Sequence, residues 1–592
     1  MPAISEAAMT GGRVKGSKKA VLKRLAKYFL RYKWRVLAAF LLMIGSNLFA
    51  LLGPYLTGLA IDAIALEGGP DFGAVAVYCA LMAGFYVLSS VFSYVLSVLM
   101  IKLSQAIVKS MRQDVFDKIL RLPVSLADRL QTGDVINRIQ YDIDTVNASL
   151  SYDILQAATS VITVVGAFIG MAAASPAMLG VLLITVPIAL IIAAVRSRKV
   201  RPLFRKRSAK LAALNGFSEE MLSGIKTIKA YGREQPIENK FRQKNTDAAD
   251  AYYDADYFGS LIGPAVNFVN NLGTVLISTA GAFLYLYGLV SLGNISSFLL
   301  YSRRFSGPIN EYANIMGEIQ SALAAAERVF RLMDAPEEPK DAEGAKELSC
   351  VRGETEFENV CFSYDGEKEV IKNLSFKVLP GQTAAIVGPT GAGKTTLVNL
   401  MMRFYDPGSG RILLDGVPID RYTRKSLRAA FTMVLQDTWL FEGTVYDNIA
   451  YGKEGAAREE VEAAAREAHV YDFVSKLPAG LYTPVTDGGV NLSKGQRQLI
   501  TIARAMLSPA GMLILDEATS NVDTRTELLI RDAMAKLMRG RTCFIIAHRL
   551  STIVNADLIL VVKEGDVIES GTHKQLLENE GFYKEIYSAQ FE

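Results

Sequence analysis

Up to about residue 316 the chain alternates long apolar runs with basic, polar stretches. Beyond that point short apolar runs lie among charged and glycine-rich segments. Six runs, at 36–64, 73–101, 151–174, 177–195, 258–287 and 289–316, are each apolar enough, over about 20 residues, to cross a bilayer. The connectors 65–72, 175–176 and 288–294 hold no Lys or Arg, whereas 102–150 and 196–250 are crowded with both. The positive-inside rule then predicts six membrane helices with the long connectors and both termini in the cytoplasm. A helical period persists from Lys102 to Leu122 and from Leu203 to Asn245, so the membrane helices are expected to continue well past the bilayer. Leu122-Pro123-Val124-Ser125 breaks the first extension, and Thr132-Gly133-Asp134 opens the return. The second hairpin, with Ser218-Glu219-Glu220 and Gly224–Lys229, presents a mixed apolar and charged face suited to docking on a partner domain.

Ahead of the first span, Lys18–Arg35 interleaves basic residues with Val21, Leu22, Leu25, Phe29 and Leu30. That is the period of an amphipathic helix lying on an anionic membrane face. Residues 1–17 read as a solvated basic tail, and no cleavable signal peptide is visible. A linker starting at Gly317 opens as a helix, Ala322–Met333, and ends in the polar run Ala335–Glu347. The expected domains are therefore 1–35, a cytoplasmic N-terminus; 36–316, a transmembrane domain; 317–352, a linker; and 353–592, a second globular domain.

Composition narrows the function. A chain of 592 residues exceeds what one core supports. Its net charge of +4 is too small to argue for nucleic-acid binding. Four scattered cysteines and three histidines suggest neither a disulfide framework nor a zinc site. Ionisable residues inside the apolar runs are costly, which makes Asp62, Asp153, Arg303, Arg304 and Glu311 candidate functional positions, beside a polar stripe of Asn267, Asn270 and Asn271. Asp62 and Asp153 sit near segment ends, where water reaches them. Arg303 and Arg304 either face a polar cavity or pair structurally. Phe49, Tyr86, Phe268, Tyr285 and Phe305 are candidates for the lining of an apolar cavity.

The chemistry lies in the second half. Ala384–Val387 reads as a short buried strand and Leu397–Phe404 as the start of a helix. Between them Gly388-Pro389-Thr390-Gly391-Ala392-Gly393-Lys394-Thr395-Thr396 fits the P-loop pattern. Its glycines let successive N–H groups turn towards a phosphate, and the helix N-terminus adds partial positive charge. Lys394 can reach the β- and γ-phosphates, and the Thr395 hydroxyl is placed to ligate Mg²⁺. A nucleoside triphosphate is the predicted ligand. Further on, the apolar strand Met512–Leu515 delivers Asp516, for the Mg²⁺ shell, and Glu517, to polarise an attacking water.

Leu492-Ser493-Lys494-Gly495-Gln496, just upstream of Asp516-Glu517, resembles the signature motif of ATP-binding cassette (ABC) transporters. In the family's order, Tyr364 resembles the aromatic that stacks on adenine and Gln436 the glutamine that senses Mg²⁺ and the γ-phosphate. Ser520-Asn521-Val522-Asp523 resembles the D-loop, and His548 the switch histidine on the γ-phosphate. Pro123 with Thr132-Gly133-Asp134, and Ala230–Glu234, are similar to the coupling regions of exporter-type members.

The resemblance implies an α-helical polytopic membrane domain followed by an α/β P-loop cassette domain. It also implies Mg²⁺-dependent ATP hydrolysis driving export of a hydrophobic or amphipathic substrate, a drug-like compound or a lipid, across the cytoplasmic membrane. One cassette with six spans is a half-transporter, so a second subunit is implied, the signature of each cassette closing on the P-loop nucleotide of the other. Lys494 replaces the commoner second glycine of the signature, and Thr486-Asp487-Gly488 stands where a Gly-Glu pair is usual. With the run after Glu517, these departures look similar to the catalytic-glutamate subunit of heterodimeric exporters, so a heterodimer is favoured over a homodimer. A dedicated exporter of a peptide or metabolite and an ATP-gated channel or regulator stay open. Glu517 speaks against the latter, and the 35 residues before the first span leave no room for a peptide-processing protease domain. The six spans exclude a soluble cassette ATPase.

Overall fold

The computed structural model describes residues 18–66, 69–435, 438–486, 488–489, 491–516, 523–547 and 553–591. They fall into two compact units. One takes the described residues up to Leu120 together with Gln131–Ala335; the other takes Arg121–Leu130 and the chain from Pro336 onward.

The first unit is helical: α1 (Lys18–Leu30), α2 (Lys33–Ile64), α3 (Phe72–Leu120), α5 (Thr132–Asn137), α6 (Ile143–Ala148), α7 (Ile154–Ala174), α8 (Leu179–Ser223), α9 (Ile225–Ala230), α10 (Glu234–Ser260), α11 (Ile262–Leu286) and α12 (Leu292–Met333), while α4 (Val124–Ala127) belongs to the second unit. Two π-helical turns, Arg138–Asp142 and Ser149–Asp153, join α5, α6 and α7. The connectors expected to stay helical do so, and the helix Ala322–Met333 is the end of an unbroken α12. Among the described residues five stretches are long and apolar enough to cross a membrane: Lys33–Ile64, Phe72–Leu120, Thr132–Ala174, Leu179–Ser223 and Glu234–Leu286. The helix over the sixth predicted run, α12, is not among them; it carries Arg303 and Arg304 together with Asn294, Pro308 and several serines.

Polar groups and glycines fasten these helices. Pro54 loosens the backbone ladder of α2, and α12 supplies donors there: Tyr301 Oη to the Leu51 carbonyl at 2.7 Å and Ser297 Oγ to the Pro54 carbonyl at 2.8 Å. One turn on, Gly58 meets Gly293 so closely that a Cβ on Gly293 would lie 2.1 Å from the Gly58 oxygen. The Asp62 carboxylate closes this seam, accepting from Ser291 Oγ and the Gly293 N–H, each at 2.7 Å. Asp62 is thus a structural anchor rather than a solvated end group. In α1, Val21, Leu25 and Tyr28 are buried against protein, with Tyr28 Oη donating to Asp114 at 2.8 Å, while Leu22 and Leu30 stay exposed. Phe49 packs on Phe85 and Phe92, Tyr86 sits over Gly53 and is partly exposed, Phe305 packs against the bundle core, and Phe268 and Tyr285 are exposed.

The second unit is layered α/β. Its strands are β1 (Thr355–Ser363), β2 (Glu369–Val378), β3 (Thr383–Val387), β4 (Ser409–Leu414), β5 (Val417–Pro418), β6 (Phe431–Val434), β7 (Gly443–Thr444), β8 (Pro484–Val485), β9 (Met512–Asp516), β10 (Thr542–Ile546), β11 (Leu558–Lys563) and β12 (Asp566–Gly571). Its remaining helices are α13 (Lys394–Met401), α14 (Arg424–Ala429), α15 (Val445–Ala450), α16 (Arg458–Glu467), α17 (Tyr471–Val474), α18 (Lys494–Leu507), α19 (Thr524–Met538), α20 (His573–Glu578) and α21 (Phe582–Phe591). A six-stranded sheet runs β12-β11-β3-β10-β9-β6, parallel except for the β12 edge, beside an antiparallel sheet β2-β1-β4-β5. Alternate residues of β3, β9, β10 and β11 feed two cores: Ala385, Leu513, Ile545 and Val561 on one face, Ala384, Ile514, Phe544 and Leu560 on the other. Continuous apolar runs of this kind mark strands covered on both faces.

Candidate nucleotide site

In an open parallel sheet, ligands bind beyond the carboxyl ends of the strands. Here β10 aligns two of those ends: Ile546 is level with Ile386 of β3 on one side and Asp516 of β9 on the other. The P-loop leaves β3 at Gly388 and enters α13 at Lys394, three residues earlier than the sequence suggests. Its glycines are required by space and backbone. A Cβ on Gly388 would lie 2.1 Å from the Val562 carbonyl oxygen, and Gly391 and Gly393 hold φ of +84° and +105°. Pro389 and Thr390 are exposed at the tip, and Ala392 is buried beneath it.

Lys394 is 6% exposed, and its Nζ donates to the carbonyls of Gly388 at 2.8 Å and Pro389 at 3.1 Å, so the ammonium sits inside the curl of the loop. Thr395, next to it, is exposed; Thr396 is buried and shares a 3.0 Å hydrogen bond with the Tyr364 hydroxyl. A cradle with no room for a Cβ at its base, a cation in its curl and a helix N-terminus at its mouth fits a polyphosphate. Thr395, at the start of α13, and Asp516, at the end of β9, carry oxygens of the kind a hard cation takes.

Around Tyr364 lies a cluster drawn from distant parts of the chain. Tyr364 meets Tyr405 edge to face at 5.0 Å, and both rings pack on Phe362. Two residues of the Arg121–Leu130 segment hold them: Arg129 Nη2 donates to the Tyr364 carbonyl at 2.9 Å, and Tyr405 Oη donates to Asp128 at 3.1 Å. Burial and the Asp128 carboxylate push the Tyr405 phenol well above its usual range. The turn after Tyr364 is pinned by Asp365. The N–H groups of Lys368 and Glu367 and the Ser363 hydroxyl lower its carboxyl to about 2. The charged pair beside the Pro123 break was the available signal for this contact.

Ser493 starts α18 through a capping box: its Oγ accepts from the Gln496 N–H at 3.2 Å while Gln496 Oε1 accepts from the Ser493 N–H at 2.9 Å. Ser493 is exposed, Lys494 and Gln496 are half-buried, and Gly495 is buried. Near the end of the helix, the Arg504 guanidinium donates to the Asn448 carbonyl at 2.8 Å, to Asn448 Oδ1 at 2.9 Å and to the Trp439 carbonyl at 3.2 Å. The helix that begins at the signature therefore holds the segment Trp439–Asn448. Asp523 caps α19, accepting from the Thr526 N–H at 3.0 Å, and that bond lowers its pKa. Asp516 is half-buried at the end of β9. Gln436, Glu517, Ser520–Val522 and His548 lie outside the described residues.

Comparison with known proteins decides the family. The ABC transporter transmembrane region matches residues 36–309, and the ABC transporter domain matches residues 371–520. An uncharacterized ABC transporter ATP-binding protein of Bacillus subtilis, YfiC, is 41% identical over 97% of this chain and 95% of its own length. The chain belongs to the ABC transporter family. The transporter is also 45% identical to a fatty acid ABC transporter ATP-binding/permease protein of Mycobacterium bovis, over 88% of this chain and 82% of that one. A bacterial Atm1-family ABC exporter solved with ATP bound superposes with a TM-score of 0.77 at 31% identity, covering 94% of this chain and 98% of that one. This is a multi-pass membrane protein in which a helical transmembrane domain is fused to the ATP-hydrolysing cassette that drives transport: an exporter half.

Proposed function

We propose that the transporter exports a hydrophobic or amphipathic substrate, a lipid or a drug-like compound, out across the cytoplasmic membrane by alternating access. The P-loop cradle fused to a helical membrane half is the observation that carries this reading. The amphiphile class is supported by the M. bovis relative, whose name gives fatty acid as what it handles. Residues 1–35 form a cytoplasmic N-terminus with an amphipathic helix, 36–316 six spans including α12, 317–352 the linker and 353–592 the cassette, with both termini cytoplasmic.

Roles follow from chemistry. Tyr364 offers its ring to adenine, Gly388–Thr396 hold the phosphates, and Thr395, Gln436 and Asp516 hold Mg²⁺. When bound, Mg²⁺ neutralises charge on the phosphates. Glu517 positions and polarises the attacking water, and His548 contacts the γ-phosphate. Ser493–Gln496 and Asp523 face the second subunit, which we take to be a different half-transporter. ATP held between two cassettes favours the closed pair, and its loss resets the cycle.

The test is Mg-ATPase activity of this chain purified alone in lipid nanodiscs, beside Glu517→Gln. Negligible turnover, restored by co-expressing a second half-transporter and abolished again by Glu517→Gln, is the expected result. Robust turnover by the chain alone would replace the heterodimer with a homodimer. Turnover that survives Glu517→Gln would remove that residue from its role.

A further inference from the structure

Arg303 and Arg304 lie in the middle of α12, and neither belongs to the nucleotide chemistry. At 1.5 Å per residue from Leu292 they sit about 17–18 Å along the helix, near the middle of a ~30 Å hydrocarbon core. Guanidinium groups at that depth persist when they face a polar interior or meet an anion. The carboxylates on the neighbouring turns are already engaged. Asp62 is held by Ser291 and Gly293, and Glu311, one heptad beyond Arg304, is held by Gln156 Nε2 at 3.0 Å. Arg303 is exposed, Arg304 is half-buried, and neither has a hydrogen bond or ion pair among the described residues.

The helices packed on α12 are polar where lipid would demand otherwise. On α7, Gln156, Ser160 and Thr163 share one face at helical spacing. Thr163 Oγ1 donates to Asn47 Oδ1 of α2 at 3.0 Å, and the Ser160 hydroxyl is buried without a partner among the described residues. Three mutually packed helices therefore set uncharged polar groups beside the two guanidinium groups. Each guanidinium presents paired N–H donors that suit the oxygens of a carboxylate or a phosphate.

We propose that Arg303 and Arg304 receive the anionic head, carboxylate or phosphate, of an alkyl-chain amphiphile, and so set the substrate class of the exporter. This rests on the amphiphile-export reading above. The test uses the full chain in phosphatidylcholine nanodiscs and photoreactive dodecyl probes ending in carboxylate, phosphate, alcohol or trimethylammonium; it needs neither ATP turnover nor a second subunit. The two anionic probes are expected to label α12 and to be displaced by unlabelled laurate. Arg303→Gln with Arg304→Gln should cut that labelling about tenfold or more, the scale of one charge-assisted hydrogen bond. The double lysine variant, which keeps the charge and loses the fork, should fall between. Phosphatidylglycerol titrated into the discs displaces the probes if the head belongs to a bilayer lipid; displacement by laurate alone assigns it to a free amphiphile. Labelling independent of the head group, or undiminished in the glutamine variant, overturns the proposal and leaves the arginines to a partner subunit's carboxylates. If no probe of any kind can be displaced, the amphiphile reading falls with it.

Discussion

In the cassette, Ala384–Val387 and Met512–Leu515 are buried along their whole length, whereas α3 of the membrane half leaves Val77, Leu81, Val87, Val91 and Tyr94 exposed along its apolar stretch. The two halves use their apolar side chains differently. In the cassette, removing carbon from water selects the fold, and polar groups are confined to caps, turns and the P-loop. In the membrane half the surrounding lipid is as apolar as any core, so greasy contacts discriminate little. Position there is fixed by the exceptions: hydroxyls at the Pro54 kink, the Gly58–Gly293 contact, and the Asp62 carboxylate closing the seam.

The sharpest way to break this contrast is to remove equal kinds of carbon from each half. Phe544→Ala, at a fully buried position of β10, should cost about 3–5 kcal/mol, read as lost thermal stability of the purified chain. Val91→Ala, on the exposed face of α3, should stay within about 0.5 kcal/mol of the parent. Next comes Lys394→Ala, which removes a cation preorganised inside the loop. ATP turnover of the chain co-expressed with a second half-transporter should drop about 10²–10³-fold, with thermal stability retained in the nucleotide-free protein. The membrane half should answer most strongly at a glycine: Gly293→Ala drives a Cβ into the Gly58 carbonyl and should cost about 1–3 kcal/mol by scanning fluorimetry. Gly84→Ala, with nothing within reach of the added carbon, should be neutral or slightly stabilising.

The smallest effect is electrostatic and belongs to the cassette alone. Asp532 accepts from His469 Nε2 at 2.7 Å and Lys536 Nζ at 2.6 Å, which lowers its carboxyl from 3.8 to about 2. A depressed carboxyl contributes stability that is present above the unfolded pKa and lost as pH falls through the folded one. The contribution should therefore disappear between about pH 4 and pH 2. Denaturant midpoints measured over that range should fall less steeply in Asp532→Asn than in the parent.

Much of this was legible in the sequence. The strand–loop–helix around Lys394 and the cap at Ser493 are local patterns, written in residues that touch their own neighbours. The apolar runs are equally local. Contacts between distant residues were not legible: Arg129 reaches Tyr364 and Asp128 reaches Tyr405 across more than 200 residues. Periodicity gave α1 an apolar face but not what the face meets, because Val21 and Leu25 satisfy the same spacing against protein as against lipid. The run over α12 is helical throughout, although Arg303 and Arg304 interrupt its apolar sequence.

The cassette cannot be lifted out of this chain by scissors alone. Glu338 and Asp341 hold the Arg428 and nearly buried Arg424 side chains, and the ten residues from Arg121 to Leu130 supply the partners of Tyr364 and Tyr405. A soluble fragment begun at residue 353 would take Glu338 and Asp341 away from Arg428 and Arg424, leaving them Asp406 and the Met402 and Arg403 carbonyls, and would bare an aromatic seat. A fragment begun at Pro336 would keep its arginine clamps and still display the vacant seat. Supplied in trans, a synthetic peptide of residues 121–130 has a ready-made place to dock.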